Sequence, residues 1–289
     1  MSDNHKRLHP SRRGVAPATH SSGQMGGSGC EGINITDVRG SGSLNYRDQL
    51  SVSTWNCGGL SFTVRENLKD FCDILVLTET HDNGTLKSNK HFIKGEPAPP
   101  KDSYAGVSFL LSDRVSRCVT HSGSCGPRIT FIRVRSSPCN LLVIGVYIPH
   151  QHRTERPFYS DTLTQLKSVI AQAKSHDCVI VLGDFNSKLG RNINKLTGKW
   201  SVHSHSNKPG KAVTELMRQS KLTAISTCFQ PPRRKNNATY LAKDPQFKPS
   251  QIDYIMISSR WSSSIKDCKV CWGISIQRWG RHYNHVAIV

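Results

Sequence analysis

The 289-residue chain has no apolar run long enough to cross a bilayer. Its longest such stretches, Leu141–Ile148 and Val179–Leu182, fall far below the roughly 18–20 residues that hydrocarbon requires. They read as buried strands, and nothing in the sequence suggests a membrane partner. The first twenty residues carry basic side chains but no apolar h-region, which speaks against a secretory signal. The expectation is an intracellular protein, in the nucleus or the cytoplasm. No repeat of fixed period is visible, which argues against solenoids and propellers. Acids are outnumbered: 20 Asp and Glu stand against 39 Lys and Arg, a formal charge of +19 that favours phosphate-bearing partners. Residues 1–100 hold 11 basic and 10 acidic side chains, and residues 101–289 hold 28 and 10. The surplus therefore belongs to folded-looking sequence and not to a tail. Ten cysteines without a signal read as reduced thiols, not as a disulfide framework.

Residues 1–48 are rich in Ser, Gly, Asn, Arg and His. They offer too little apolar surface to offset the entropy of ordering, so a disordered leader is expected there, followed by one domain over 49–289. From Leu50 the texture changes. Leu50–Trp55, Phe71–Leu77, Ala105–Leu111, Ile129–Val134, Leu141–Ile148, Cys178–Leu182 and Ile252–Ile257 read as strands, and Val64–Lys69, Thr162–Lys174 and Lys211–Gln219 as helices. In the second helix Leu163, Leu166, Val169, Ile170 and Ala173 recur on one face. Many strands, few helices and long polar loops indicate an α/β sandwich. The last residues, Ala287-Ile288-Val289, read as a final core strand, which suggests a chain cut just after its domain.

Four strands deliver polar groups at their ends. Trp55-Asn56 closes the first; Thr78-Glu79-Thr80-His81 follows Ile74–Leu77; Gly183-Asp184-Phe185-Asn186 follows Val179–Leu182; Asp253-Tyr254 opens Ile255–Ile257. Singly, Asp184 reads as a turn former, Asn56 as a turn residue before Gly58-Gly59, and Glu79 as an acid at a helix start. Together they follow the logic of enzymes that hold a constellation on rigid strands.

In this order, Thr54-Trp55-Asn56, Leu77-Thr78-Glu79-Thr80, Gly145-Val146-Tyr147-Ile148-Pro149, Leu182-Gly183-Asp184-Phe185-Asn186, Gln251-Ile252-Asp253-Tyr254-Ile255 and Tyr283-Asn284-His285 resemble the endonuclease/exonuclease/phosphatase superfamily. The resemblance covers about residues 49–289. Thr197-Gly198-Lys199-Trp200, Ala238-Thr239-Tyr240 and Arg278-Trp279-Gly280-Arg281 look most like the endonuclease domains of LINE-type (non-LTR) retrotransposons. The resemblance implies a four-layer sandwich of two mixed β-sheets flanked by helices, and a metal-dependent endonuclease that hydrolyses DNA phosphodiesters. It implies magnesium as cofactor, with manganese the alternative, near Glu79 with Asn56 and Asn284 beside it. No nucleotide cofactor is implied. His285 would contact the scissile phosphate or aid water activation, oriented by Asp253. Asp184 would position or deprotonate the attacking water, Asn186 and Tyr147 would donate to phosphate oxygens, and Thr239 would add a further phosphate contact.

Two departures stand out. Gly58 occupies a place where some members carry a metal-binding acid, one that LINE-type members often lack too. The closing Ser-Asp-His of the family reads Tyr283-Asn284-His285, so a carboxylate has become a neutral amide and magnesium should be held more weakly. Two rival functions follow: a catalytically silent DNA-binding remnant, or a phosphatase of the same superfamily acting on a phosphoinositide-like ester. Cys268-Lys269-Val270-Cys271 has the spacing of half a zinc site without a second pair, so two thiols on a strand or bend are expected. Cys118, His121 and Cys125 are expected in a loop.

Overall fold

The computed structural model describes residues 32–38, 40–45, 49–68, 70–100, 104–150, 157–233, 235–242, 244, 246–271 and 284–288, the last five by their strand path alone. The expected leader up to residue 31, the Arg278–Arg281 segment and Tyr283 lie outside them. In chain order the elements are β1 (Ile33–Asp37), β2 (Ser51–Asn56), α1 (Phe62–Leu68), β3 (Ile74–Thr78), β4 (Phe92–Lys94), β5 (Val107–Leu111), α2 (Asp113–Ser116), β6 (Val119–Cys125), β7 (Ile129–Val134) and β8 (Leu141–Tyr147). There follow α3 (Pro157–Ile170), β9 (Cys178–Asp184), α4 (Lys208–Gln219), β10 (Leu222–Ala224), β11 (Asp253–Ser258), β12 (Asp267–Cys271) and β13 (Asn284–Ile288).

Two mixed sheets result. One runs β1-β6-β7-β8-β9-β11-β10 and the other β12-β13-β2-β3-β5-β4. Each contains one parallel pair, β8 with β9 and β2 with β3, and each pair is joined through a helical crossover, as parallel pairing demands. The strands alternate between two dry faces. Val143, Ile180, Leu182, Ile255 and Ile257 of the larger sheet meet Val52, Val76, Val107 and Phe109 of the smaller one in a central core. The opposite face of the larger sheet, including Leu142, Ile144, Val181 and Met256, packs on Leu166, Val169, Val213 and Met217 of α3 and α4. Leu75, Leu77 and Leu110 on the outside of the smaller sheet meet Leu68 of α1. Helix, sheet, sheet and helix make the expected four-layer sandwich.

The predicted strands appear with shifted ends. Those the sequence reading passed over, β4, β6, β10 and β12, are short or polar. Cys118, His121 and Cys125, expected in a loop, lie on or just before β6, with both cysteines buried. Cys268 and Cys271 do lie on a strand. The leader is corrected in part. Ile33–Asp37 pairs antiparallel with His121–Cys125, and buried Leu44 bridges to Ser136. Backbone pairing orders this stretch, helped by a 2.9 Å bond from Asn34 Nδ2 to Glu96 Oε1, while residues 34–37 keep exposed side chains. A rule that weighs apolar burial therefore misses it.

One polar knot ties the far end of the smaller sheet. Asp73 accepts from the Ser51 amide at 2.9 Å, the Ser51 hydroxyl at 2.8 Å and the Ser112 hydroxyl at 3.1 Å. Arg114 grips both its oxygens, each at 2.6 Å. Burial pushes the Asp73 carboxyl up, but these hydrogen bonds and the guanidinium charge outweigh it and hold the pKa at about 2. The folded value lies below the unfolded one of about 3.9, so the contribution is fully present above that pH and fades as pH falls toward 2. Asp73→Asn should cost about 1–2 kcal/mol in urea unfolding at pH 7, solvent screening through its exposed partner Arg114 keeping it below the fully buried range. The gap to wild type should narrow steadily between pH 4 and pH 2.5; a gap that stays constant would contradict the assigned role.

Candidate active site

Three neighbouring strands bring three polar residues into one line. Tyr147 of β8 lies opposite Asp184 of β9, and Asp184 lies opposite Asp253 of β11. Register partners share a face of the sheet. This face continues the stripes of Val143, of Ile180 and Leu182, and of Ile255 and Ile257 that line the central core. All three polar residues are buried, Tyr147 being 7% exposed and each aspartate 1%. The stripe turns polar where the core stops.

Gly183 makes the approach possible. Its φ of 150° and a Cβ that would lie 1.9 Å from the Val146 carbonyl oxygen leave room for no other residue. Asp184 then follows with both oxygens engaged. Its Oδ1 accepts from the Asn186 amide at 2.8 Å, and its Oδ2 accepts from Asn56 Nδ2 at 2.9 Å. The second bond crosses from one sheet to the other, because Asn56 ends β2 beside Thr78 of β3. Asn56 Oδ1 accepts from the Gly58 amide at 3.1 Å, which fixes the amide plane. Asn186, in the left-handed region at φ 45°, donates through Nδ2 to the Ile148 carbonyl at 2.9 Å.

Glu79 follows β3 with φ 50°. Its carboxylate hydrogen-bonds the Tyr147 hydroxyl and lies 3.7 Å from His81 Nε2. Burial first, then the charges of Glu79 and Asp184, push the Tyr147 phenol far above its usual pKa, while Arg128 opposes them. Tyr147 is thus a neutral donor at any physiological pH. Two carboxylates converge on one phenol, a concentration of negative charge that suits a cation.

β13 lies between β12 and β2, with His285 opposite Thr54 and Asn284 opposite Cys271. The register brings these positions to the end of the sheet that carries Asn56; their side chains lie outside the description. Thr239 takes a different place from the one expected. Fully buried, its hydroxyl oxygen accepts from the Ile252 amide at 3.1 Å and the Asp253 amide at 3.2 Å. It shapes the entry to β11 from behind the row.

Sequence reasoning missed Arg128 and His81. Arg128 is buried, with its guanidinium 5.0 Å from the centre of the Phe158 ring and its carbonyl accepting from the Tyr147 amide at 2.9 Å. Its position in a hairpin, after Gly126-Pro127, gave no sign of the site. His81 meets the exposed Tyr104 ring edge-on, centroids 5.5 Å apart; it stood inside a noted motif but no role was drawn from it.

Among the described residues, no three His, Cys, Asp or Glu side chains cluster to hold a metal ion. The Glu79 carboxylate and the Asn56 amide oxygen are hard oxygen donors of the kind a divalent cation takes when it keeps much of its water shell.

The chain is 27% identical over 266 residues to Craniofacial development protein 2 of Bos taurus, across 87% of this chain and 43% of that protein, so it spans less than half of its relative. It shares the fold of the 3'-5' exonuclease NExo from Neisseria meningitidis, at 20% identity and TM-score 0.60, over 82% of this chain and 98% of that one. The same Neisseria protein has been solved as a 3' phosphatase bound to a product DNA hairpin. The endonuclease domain of TRAS1, a telomere-specific non-LTR retrotransposon, matches at 11% identity and TM-score 0.58, over 84% of this chain and 98% of that domain. The model of the Endonuclease/Exonuclease/phosphatase family matches residues 53–270, and the chain belongs to that family.

Proposed function

We propose that the protein is a metal-dependent endonuclease that hydrolyses DNA phosphodiester bonds and descends from a non-LTR retrotransposon. The observation that carries the reading is the row Tyr147, Asp184 and Asp253, joined across the sheets by Asn56 and faced by Glu79. Phosphodiester hydrolysis needs a water, an acceptor for its proton, and donors aimed at the charge that develops on phosphorus-bound oxygens. Asp184, pinned by Asn56 and Asn186, orients the attacking water and takes its proton. Tyr147 and Asn186 donate to the phosphate oxygens as the new P–O bond forms and the bond to the leaving oxygen breaks. In this reading Asp253 would hold the His285 imidazole toward the scissile phosphate. Glu79, Asn56 and Asn284 would hold magnesium or manganese, which supplies charge neutralisation at the phosphate when bound.

The +19 charge supports a polyanion over a small phosphate ester. A neighbour of the same fold was captured with a product DNA hairpin, which points the same way. Phosphate contacts of this kind position a strand without reading its bases.

Supercoiled-plasmid nicking with magnesium or manganese, and its loss with a chelator, tests the reading. Asp184→Ala and His285→Ala should each lower the nicking rate by about a hundredfold or more. Cleavage that survives both substitutions refutes the site. DNA retention that weakens with salt but never leads to cleavage would identify the silent remnant, and preference for a soluble phosphate ester over duplex DNA the phosphatase. Asn284→Asp restores a carboxylate beside the metal, so it should raise the nicking rate at limiting magnesium and leave saturating magnesium little changed. Superimposable magnesium titrations of the two proteins would show that the amide costs nothing.

A further inference from the structure

The strand carrying Asp253 is held in place by residues outside the row. Gln251, two residues ahead of Asp253, is fully buried and every one of its polar groups is used. Its side-chain Oε1 accepts from the Val202 amide at 3.3 Å, and its Nε2 donates to the Ser226 carbonyl at 3.3 Å. Its carbonyl accepts from the Tyr254 hydroxyl at 2.7 Å. Its amide N–H donates to His203 Nε2 at 3.1 Å. A buried N–H without an acceptor is costly, so this bond matters to the backbone at that point.

His203 Nε2 also lies 3.1 Å from the Gln251 carbonyl oxygen. The two contacts make opposite demands. A neutral imidazole with its proton on Nδ1 accepts from the N–H, whereas a protonated one can only donate to the carbonyl. That oxygen already has the Tyr254 hydroxyl, so the neutral form satisfies both backbone groups and the charged form strands the N–H. The tautomer follows from this pattern of partners. We infer that His203 is a positioning residue of the active site, whose neutral imidazole fixes the backbone at Gln251 and so the placement of Asp253.

The surroundings favour the neutral form. Burial lowers the His203 pKa; the Gln251 carbonyl pulls the other way, and Lys188 and Arg191, the charged groups acting on the ring, add to the lowering. The same stretch is tied to the loop after Asp184 by the Tyr254 hydroxyl, which lies 3.3 Å from the Ser187 carbonyl and accepts from the Leu189 amide at 3.0 Å. Movement at Gln251 would therefore reach both aspartates of the row. For a base with a lowered folded pKa, the folded state binds fewer protons than the unfolded one. The clamp is complete above the ordinary imidazole pKa and is lost only as pH falls through the lowered folded one.

The inference rests on the nuclease reading for its consequence but not for its test. In the full chain, NMR should show the Gln251 amide and the His203 ring nitrogens titrating together, with a midpoint below that of an exposed histidine. Amide exchange at Gln251 should quicken by about tenfold in His203→Ala at pH 7.5. His203→Gln, which keeps an acceptor but does not titrate, should recover protection and abolish the pH dependence. If the wild type nicks plasmid, the acidic limb of its kcat profile should shift in His203→Gln while KM does not. A Gln251 amide that behaves alike in wild type and His203→Ala from pH 5 to 8 overturns the inference, as does an acidic limb unmoved in His203→Gln. Absence of nicking by the wild type overturns the nuclease reading alone, because the NMR arm reads the clamp without it.

Discussion

A buried hydrogen bond, from Asn56 Nδ2 to Asp184 Oδ2 at 2.9 Å, helps to join the two sheets where their shared core ends. Below it the sheets meet through dry side chains that set spacing but not lateral offset. An amide and a carboxylate have one good geometry, so the bond supplies the offset that dispersion contacts lack. It also consumes one oxygen of the residue proposed to activate water, leaving Asp184 little rotational freedom. Gly145 serves the same end sterically. A Cβ there would come within 2.8 Å of both Val76 and Val107 on the opposite sheet, so only a bare backbone lets the layers approach this closely just ahead of Tyr147.

The electrostatics of the site follow from that closeness. Glu79 and Asp184 arrive from different sheets yet act on the same phenol, with the Arg128 guanidinium opposing them. A chain with a formal charge of +19 thus keeps a small negative focus at this point. DNA held there would meet groups that repel its phosphate unless a cation sits between. That contrast is what a divalent-metal phosphodiesterase requires, and it arises from packing as much as from residue type.

Much of the site was legible because strand ends advertise themselves. Val179–Leu182 is an unbroken apolar run, and the polar residues just past it had to lie where the core stops. The row was not legible. That Tyr147, Asp184 and Asp253 stand side by side depends on strand order and register, which one dimension of sequence does not encode. The place of Thr239 was hidden for the same reason: a hydroxyl that suits phosphate suits two backbone amides equally well. β1 escaped notice because its order comes from main-chain bonds to β6, not from its own side chains. His203 stands in no motif of the sequence, and only the fold reveals that its neighbour is Gln251.

The position of β13 has a consequence in time. It sits inside its sheet, between β12 and β2, with His285 paired to Thr54. A strand synthesised early must wait for one synthesised late, so the smaller sheet stays split until the ribosome has made nearly all the residues described here. The nascent chain can assemble Tyr147, Asp184 and Asp253 beforehand, since those three belong to the larger sheet. It cannot bring His285 to them. On the proposed reading, a protein built in this order gains the last residue of its site only in the final closure.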